Sequence, residues 1–272
     1  MECRLRAAEP ATGIWGYPAK LPGSRIEVYK TIGNVKLNAY IYEPKNHEAG
    51  DSKPAIVFFF GGGWRGGTPG QFHPHCTELS QRGLVAITVD YRVLNRQKAT
   101  PQQCVSDAKS AIRWTRKNAK RLGIDPKKTI AAGGSAGGHL AAAGVVPGFD
   151  EKGEDLKISS VPNAMAIYNP AVMLAPLGEK DLLGPEKTAS IAERCGGNPD
   201  AISPIHHVRK GLPPTIIFHG TADEAVPCRS SRMSSMIVAM LFAFELLSPS
   251  NHDVARQASG CSSATTSNSA LR

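Results

Sequence analysis

Residues 133–137 read Gly-Gly-Ser-Ala-Gly, a G-x-S-x-G pattern set between the apolar run "TIAAGG" and the alanine-rich "HLAAAG". A serine between a strand and a helix, with small neighbours on both sides, suits a sharp, strained turn that lifts its hydroxyl above a sheet. At a helix N-terminus, developing negative charge is also favoured. The chemistry this predicts for Ser135 is nucleophilic attack on a carbonyl, and the oxyanion so formed needs preorganised donors. A second glycine cluster can supply them. In "PAIVFFFGGGWRGG", residues 54–67, β-formers run into Gly61, Gly62 and Gly63, whose N–H groups carry no side-chain bulk. Gly62 and Gly63, with Ala136 just after the serine, are the expected oxyanion donors.

The same cluster has a competing reading. Gly61, Gly63 and Gly66 match G-x-G-x-x-G after a strand, and Asp90 ends the next strand, as in a dinucleotide fingerprint. Trp64 and Arg65 place bulk where a phosphate-binding helix should start, and Pro69 and Pro74 delay any helix. That reading also leaves "GGSAGG" unexplained. No G-K-[ST] follows, so a Walker loop is excluded. Asp223 stands two residues beyond the apolar "TIIFHG", where a sheet edge can present an orienting carboxylate. Glu224 is the local alternative, and a turn aspartate in "TADE" is the bland one.

The elements that must position these residues alternate in type. "SRIEVYKTIG" and "VKLNAYIYEP" alternate polar and apolar residues, as an antiparallel edge pair would. "AIVFFF", "LVAITVDY", "TIAAGG", "AMAIYNP" and "PTIIFHG" are continuous apolar runs of the buried, parallel kind. Helices are expected at about 75–83, 102–122 and 136–144, and the stretch from about 145 to 210, rich in glycine and proline, reads as a loop-heavy insertion. The pattern predicts an α/β fold with a mostly parallel sheet and helices on both faces. In such sheets ligands bind beyond the carboxyl ends of the strands, where all three motifs fall. The divisions expected are an N-terminal extension over 1–24, one domain over 25–227 and an atypical tail over 228–272.

Bulk composition narrows the function classes. The 272 residues are 41% hydrophobic and 20% charged, which permits one large domain with its own core. Six scattered cysteines (Cys3, Cys76, Cys104, Cys195, Cys228 and Cys261) form no C-x-x-C, which argues against a zinc site or a disulfide framework. The net charge of +9 is concentrated between Arg92 and Lys128. It reads as the solvated face of an amphipathic helix, with Val105, Ala108, Ile112, Ala119 and Leu122 on the other face. No aromatic residues interleave as a single-strand binder needs, so no nucleic-acid partner is expected. The N-terminus lacks a signal-peptide core and no apolar run is long enough to span a bilayer. The sequence as it stands reads as soluble and cytoplasmic by default, and as secreted if the true start lies upstream.

Taken together, "FFFGGGWRGG", "DAKSAIRWTRKNAKRLGIDPKKTIAAGGSAGGHLAA" and "FHGTADEAVP" resemble the α/β-hydrolase esterase/lipase family with an HGGGW-type oxyanion loop, which includes acetyl esterases and hormone-sensitive-lipase-like carboxylesterases. The resemblance covers roughly residues 25 to 227. It implies a serine carboxylesterase acting on short-chain, acetyl-type esters through an acyl-enzyme, with no metal or cofactor. It implies Ser135 as nucleophile, Gly62, Gly63 and Ala136 as oxyanion donors and Asp223 as the acid. The family's histidine before the glycines is Phe60 here, which puts in doubt the hydrogen bonding that orders the loop.

A serine nucleophile needs a base, and the chain order of this fold is serine, acid, histidine. Seven of the eight histidines precede Asp223. His139 and His219 read as structural, which leaves His252. The spacing of His252 from Asp223 is acceptable for the family, but its setting, "SPSNHDVARQ", is not the G-H-G-F-like loop expected. After Pro227 the chain carries only two acidic residues, Glu245 and Asp253, and "MIVAMLFAF" is apolar all round, unlike a surface helix. Two explanations stand side by side: a reading frame shifted near codon 227, or simple divergence of a terminal segment. Either allows an alternative function, a hydrolase-fold protein impaired for want of a competent histidine.

Overall fold

The computed structural model of the protein describes residues 13–232. Its centre is a seven-stranded sheet in the order β1-β2-β4-β3-β5-β6-β7. The strands are β1 (Arg25–Ile32), β2 (Val35–Tyr42), β3 (Lys53–Phe59), β4 (Val85–Val89), β5 (Ile124–Gly134), β6 (Ala164–Tyr168) and β7 (Thr215–Phe218). β1 and β2 are antiparallel to their neighbours, and β4, β3, β5, β6 and β7 run parallel. All seven strands coincide with the apolar and alternating runs read from the sequence.

Helices cover both faces. They are α1 (His73–Gln81), α2 (Leu94–Gln97), α3 (Pro101–Lys117), α4 (Ala136–Ala142) and α5 (Pro185–Arg194). α3 starts on a capping box: the Thr100 hydroxyl accepts from the Gln103 N–H, and the Gln103 side chain accepts from the Thr100 N–H. Alternation along β3 divides the core. Val57 and Phe59 pack with residues of α3 and α4, whereas Ile56 and Phe58 pack with Phe72, Tyr40, Tyr42, Ala19 and Leu21. Residues 14–21 of the expected N-terminal extension are thus packed on the sheet. β6 and α5 both fall inside the stretch expected to be a loop-heavy insertion, so the sheet divides that stretch into two connections.

The basic segment differs from its expected solvated role. Arg92, Lys109 and Arg113 are buried. Arg92 forks onto Asp107 with Nε and Nη2 each 2.8 Å from a carboxylate oxygen, and Lys30 joins the same carboxylate at 2.7 Å. Arg113 reaches Glu154 at 2.9 Å and also pairs with Asp150, and Lys109 lies 3.3 Å from Asp150. Buried cations require partners, and acids from the chain before β6 provide them. No helix among the described residues is long and apolar enough to cross a membrane. Cys76, Cys104, Cys195 and Cys228 are free thiols.

One buried acid works against the fold at neutral pH. Asp90, at the end of β4, is fully buried; Oδ2 accepts only a long 3.4 Å bond from the Asn38 N–H, and Oδ1 has no partner among the described residues. Burial pushes its carboxyl up to about 7. In the unfolded chain it ionises near pH 4, so it favours folding below that pH and progressively disfavours it as pH rises through 7. Asp90→Asn keeps the shape and removes the charge. It is expected to raise the unfolding free energy at pH 8 by as much as ~3 kcal/mol, with the gain vanishing near pH 4. Denaturant titrations of both proteins at the two pH values check this.

Candidate active site

β5 delivers Ser135 to the carboxyl end of the sheet. The turn is sharp: Ser135 has φ 55° and ψ −119°, a backbone conformation costing a non-glycine residue of order 1–3 kcal/mol. It is held by the Ser135 N–H, which donates to the Tyr168 carbonyl at 2.9 Å, and by the Ser135 carbonyl, which accepts from His139 and Ala171 N–H groups, each at 3.1 Å. The hydroxyl caps no helix N–H.

The neighbouring glycines exist because backbone passes backbone here. A Cβ on Gly137 would lie 2.0 Å from the Phe59 carbonyl oxygen, and one on Gly133 would lie 2.3 Å from that of Gly137. α4 is therefore pressed against the end of β3, where the glycine loop begins. A Cβ on Gly61 would sit 3.5 Å from the Ser135 Cβ. Gly62 and Gly63 have φ values of +123° and +62°, and a Cβ on Gly62 would strike the Gly66 carbonyl oxygen at 2.4 Å. The N–H groups of Gly62, Gly63 and Ala136 have no acceptor among the described residues. The loop folds back on itself, and α1 starts only at His73, so no helix N-terminus stands at the glycines as a dinucleotide site would require.

Phe60 leaves the loop no less ordered. Its ring stacks on Tyr91 with centroids 4.0 Å apart, and the Tyr91 hydroxyl donates to the Phe60 carbonyl at 2.7 Å. The Gly61 N–H donates to Gln71 Oε1 at 2.5 Å. Buried Trp64 donates from Nε1 to His139 Nδ1 at 3.2 Å, and His139 Nε2 lies 2.7 Å from the Ile202 carbonyl. A carbonyl only accepts, so Nε2 carries the proton and Nδ1 is the free acceptor. His139 is a neutral structural link from glycine loop to α4 to the chain beyond α5.

Asp223 lies in the loop after β7. Its Oδ1 accepts from the Ala225 N–H at 2.8 Å and the Val226 N–H at 2.9 Å, and its Oδ2 accepts from the Asn169 side-chain amide. The Val226 bond foremost, then Asn169 and Ala225, hold the carboxyl below its usual range. Asn169 follows Tyr168, whose carbonyl holds the Ser135 N–H, so one dipeptide at the end of β6 braces both residues. Gly61 thus lies beside Ser135, Gly62 and Gly63 follow it in the loop, and Asp223 is tied through Asn169 to the strand end that holds Ser135. His252 lies outside the described residues. No imidazole of the other seven histidines hydrogen-bonds Ser135; the His219 ring is held by the Ser231 hydroxyl at 2.8 Å and the Val226 carbonyl at 2.7 Å, with its Nε2 3.8 Å from Asp223 Oδ2. Gln71 and Asn169 were not legible as site residues: both are amides with no motif, and only their places, just before α1 and just after β6, mark them.

The sheet order, with helices on both faces and a strand–serine–helix turn at its carboxyl end, is that of an α/β-hydrolase fold. A BD-FAE family profile matches residues 40–236, and the chain belongs to that family. Among solved structures, the esterase 2 of Thermogutta terrifontis is 48% identical with a TM-score of 0.80, over 83% of this chain and 82% of that one. The probable carboxylic ester hydrolase LipM of Mycobacterium tuberculosis is 26% identical over 82% of this chain, and the isoprenylcysteine alpha-carbonyl methylesterase ICME of Arabidopsis thaliana is 26% identical over 71%. The chain spans about half the length of these two, 57% and 47% respectively.

Burial lowers the His139 imidazole to about 4. In the unfolded chain it takes up a proton near pH 6.5, so its contribution is complete above that pH and is lost as pH falls towards 4. His139→Gln is expected to flatten the fall in unfolding free energy between pH 7 and 4.5 by roughly 2–3 kcal/mol, measured by denaturant titration at both pH values.

Proposed function

We propose that this protein is a serine carboxylesterase acting on short-chain, acetyl-type esters through an acyl-enzyme. The observation that carries the reading is Ser135 itself, held at φ 55° beside the glycine loop, with its N–H and carbonyl engaged and its hydroxyl without a hydrogen bond among the described residues. Ser135 Oγ attacks the ester carbonyl as its proton passes to the base. The N–H groups of Gly62, Gly63 and Ala136 take the oxyanion, and collapse expels the alcohol, protonated by the same base. Water then repeats the sequence on the acyl-enzyme. Asp223 orients the base through Oδ2, which also takes the Asn169 amide and lies 3.8 Å from His219 Nε2.

Two findings on relatives support the acyl size and the mechanism. The Thermogutta esterase 2 has been solved with butyrate and with propionate bound, and phosphonylated by sarin. Phosphonylation by such an agent is the chemistry of an activated nucleophile, as proposed for Ser135. One observation keeps the second reading, an impaired hydrolase, in play: with His139 and His219 both engaged through carbonyls, the base falls to His252.

Hydrolysis of p-nitrophenyl acetate decides between them. Ser135→Ala is expected to lower kcat by ~10⁴-fold or more, and His252→Ala by a similar factor. Gly62→Ala, which cannot keep φ +123°, is expected to lower kcat by about 10²- to 10³-fold. A folded wild-type chain no faster than Ser135→Ala establishes the impaired reading and overturns the esterase.

A further inference from the structure

Beside the oxyanion loop lies a cavity of about 250 Å³, lined by Gly63, Trp64, Arg65, Thr100, Glu193 and Arg194, among others. Two of these residues are cations with no ion-pair partner among the described residues. Arg194 closes α5, and its Nη1 would lie 3.4 Å from a Cβ on Gly63. Its Nη2 donates to the Ser190 hydroxyl at 3.1 Å, while Nε is buried with no acceptor among the described residues. Arg65 is exposed on the loop, one residue past Trp64. Burial, and after it the positive charge of Arg65, weakens the hold of the Arg194 guanidinium on its proton; Cys195 and then Glu193 oppose this to a lesser degree. Two guanidiniums within repelling distance, one with an unmet donor, gain from an anion between them.

We propose that Arg65 and Arg194 form an anion subsite next to the oxyanion loop, which selects esters carrying a second, ionised carboxylate a few atoms from the scissile carbonyl. Guanidinium suits this ligand, since its planar fork matches a carboxylate and stays charged at any working pH. Glu193, the single carboxylate in the cavity lining, leaves the site with net positive charge, which favours an anionic ester and repels a cationic one. Gly63 links the two functions: its N–H serves the carbonyl oxygen, and its Cα faces the guanidinium. The proposal rests on the esterase reading above.

The test compares paired substrates on the full chain. Mono-4-nitrophenyl glutarate against 4-nitrophenyl butyrate places the carboxylate on the acyl side. 4-Acetoxybenzoate against methyl 4-acetoxybenzoate places it on the leaving group. For at least one pair the anionic ester is expected to have the higher kcat/KM, and Arg194→Gln with Arg65→Gln is expected to lower the anionic-to-neutral ratio about tenfold or more. A ratio unchanged in the double variant for both pairs, with the variant shown to be folded by circular dichroism, overturns the subsite. If no ester is turned over, the esterase reading fails, and glutarate binding by calorimetry judges the subsite alone. Binding to the wild-type chain that is lost in the double variant upholds the subsite, and equal binding or none overturns it.

Discussion

The site depends on a crossing of backbones without side chains between them. The start of α4 lies against the last carbonyl of β3 so closely that even a methyl group on Gly137 would overlap it. That contact fixes the distance between the elbow carrying Ser135 and the glycine loop that leaves β3. Tyr168 and Asn169 then anchor the elbow and Asp223 to the end of the adjacent strand. The neutral Trp64–His139–Ile202 chain adds the segment beyond α5 to the same unit. Hydrogen bonds and glycine sterics, rather than ion pairs, set the geometry here.

Charge is instead concentrated on one side of the sheet, where α3 meets the chain before β6. Arg92, Lys30 and Asp107 form a compact buried group, and Arg113 and Lys109 share Asp150. Such pairs contribute less to stability than their number implies, because each ion gives up its hydration. Their role here is to hold the connection from α4 to β6 against α3. Asp90 has no such arrangement around it, which is why its carboxyl holds its proton.

Much of this was legible in the sequence. Continuous apolar runs identified the strands because parallel strands are buried on both faces. The two glycine clusters were legible because glycine alone accommodates the positive φ of Gly62 and Gly63 and the close backbone approach at Gly133 and Gly137. α5 was not, since "PEKTASIAER" sits among glycines and prolines that drew attention from its Pro185 start. Nor was the burial of Arg92, Lys109 and Arg113: an amphipathic pattern records polarity, and it does not record that acids some 40 residues later will cover the polar face. The pairing of Trp64 with His139, 75 residues apart, leaves no local signal at all. His252 lies outside the described residues, so its part in the site rests on the sequence alone.

The strand order also has a kinetic consequence. β3 is paired with β4 on one edge and with β5 on the other, and β5 in turn needs β6. Loops of tens of residues must close before these pairings form, which makes the sheet slow to assemble. Until Tyr168 has been synthesised and β6 docks, β5 offers an open edge of the kind that pairs with other chains. The elbow, whose Ser135 N–H bonds the Tyr168 carbonyl, lacks that brace until β6 is in place.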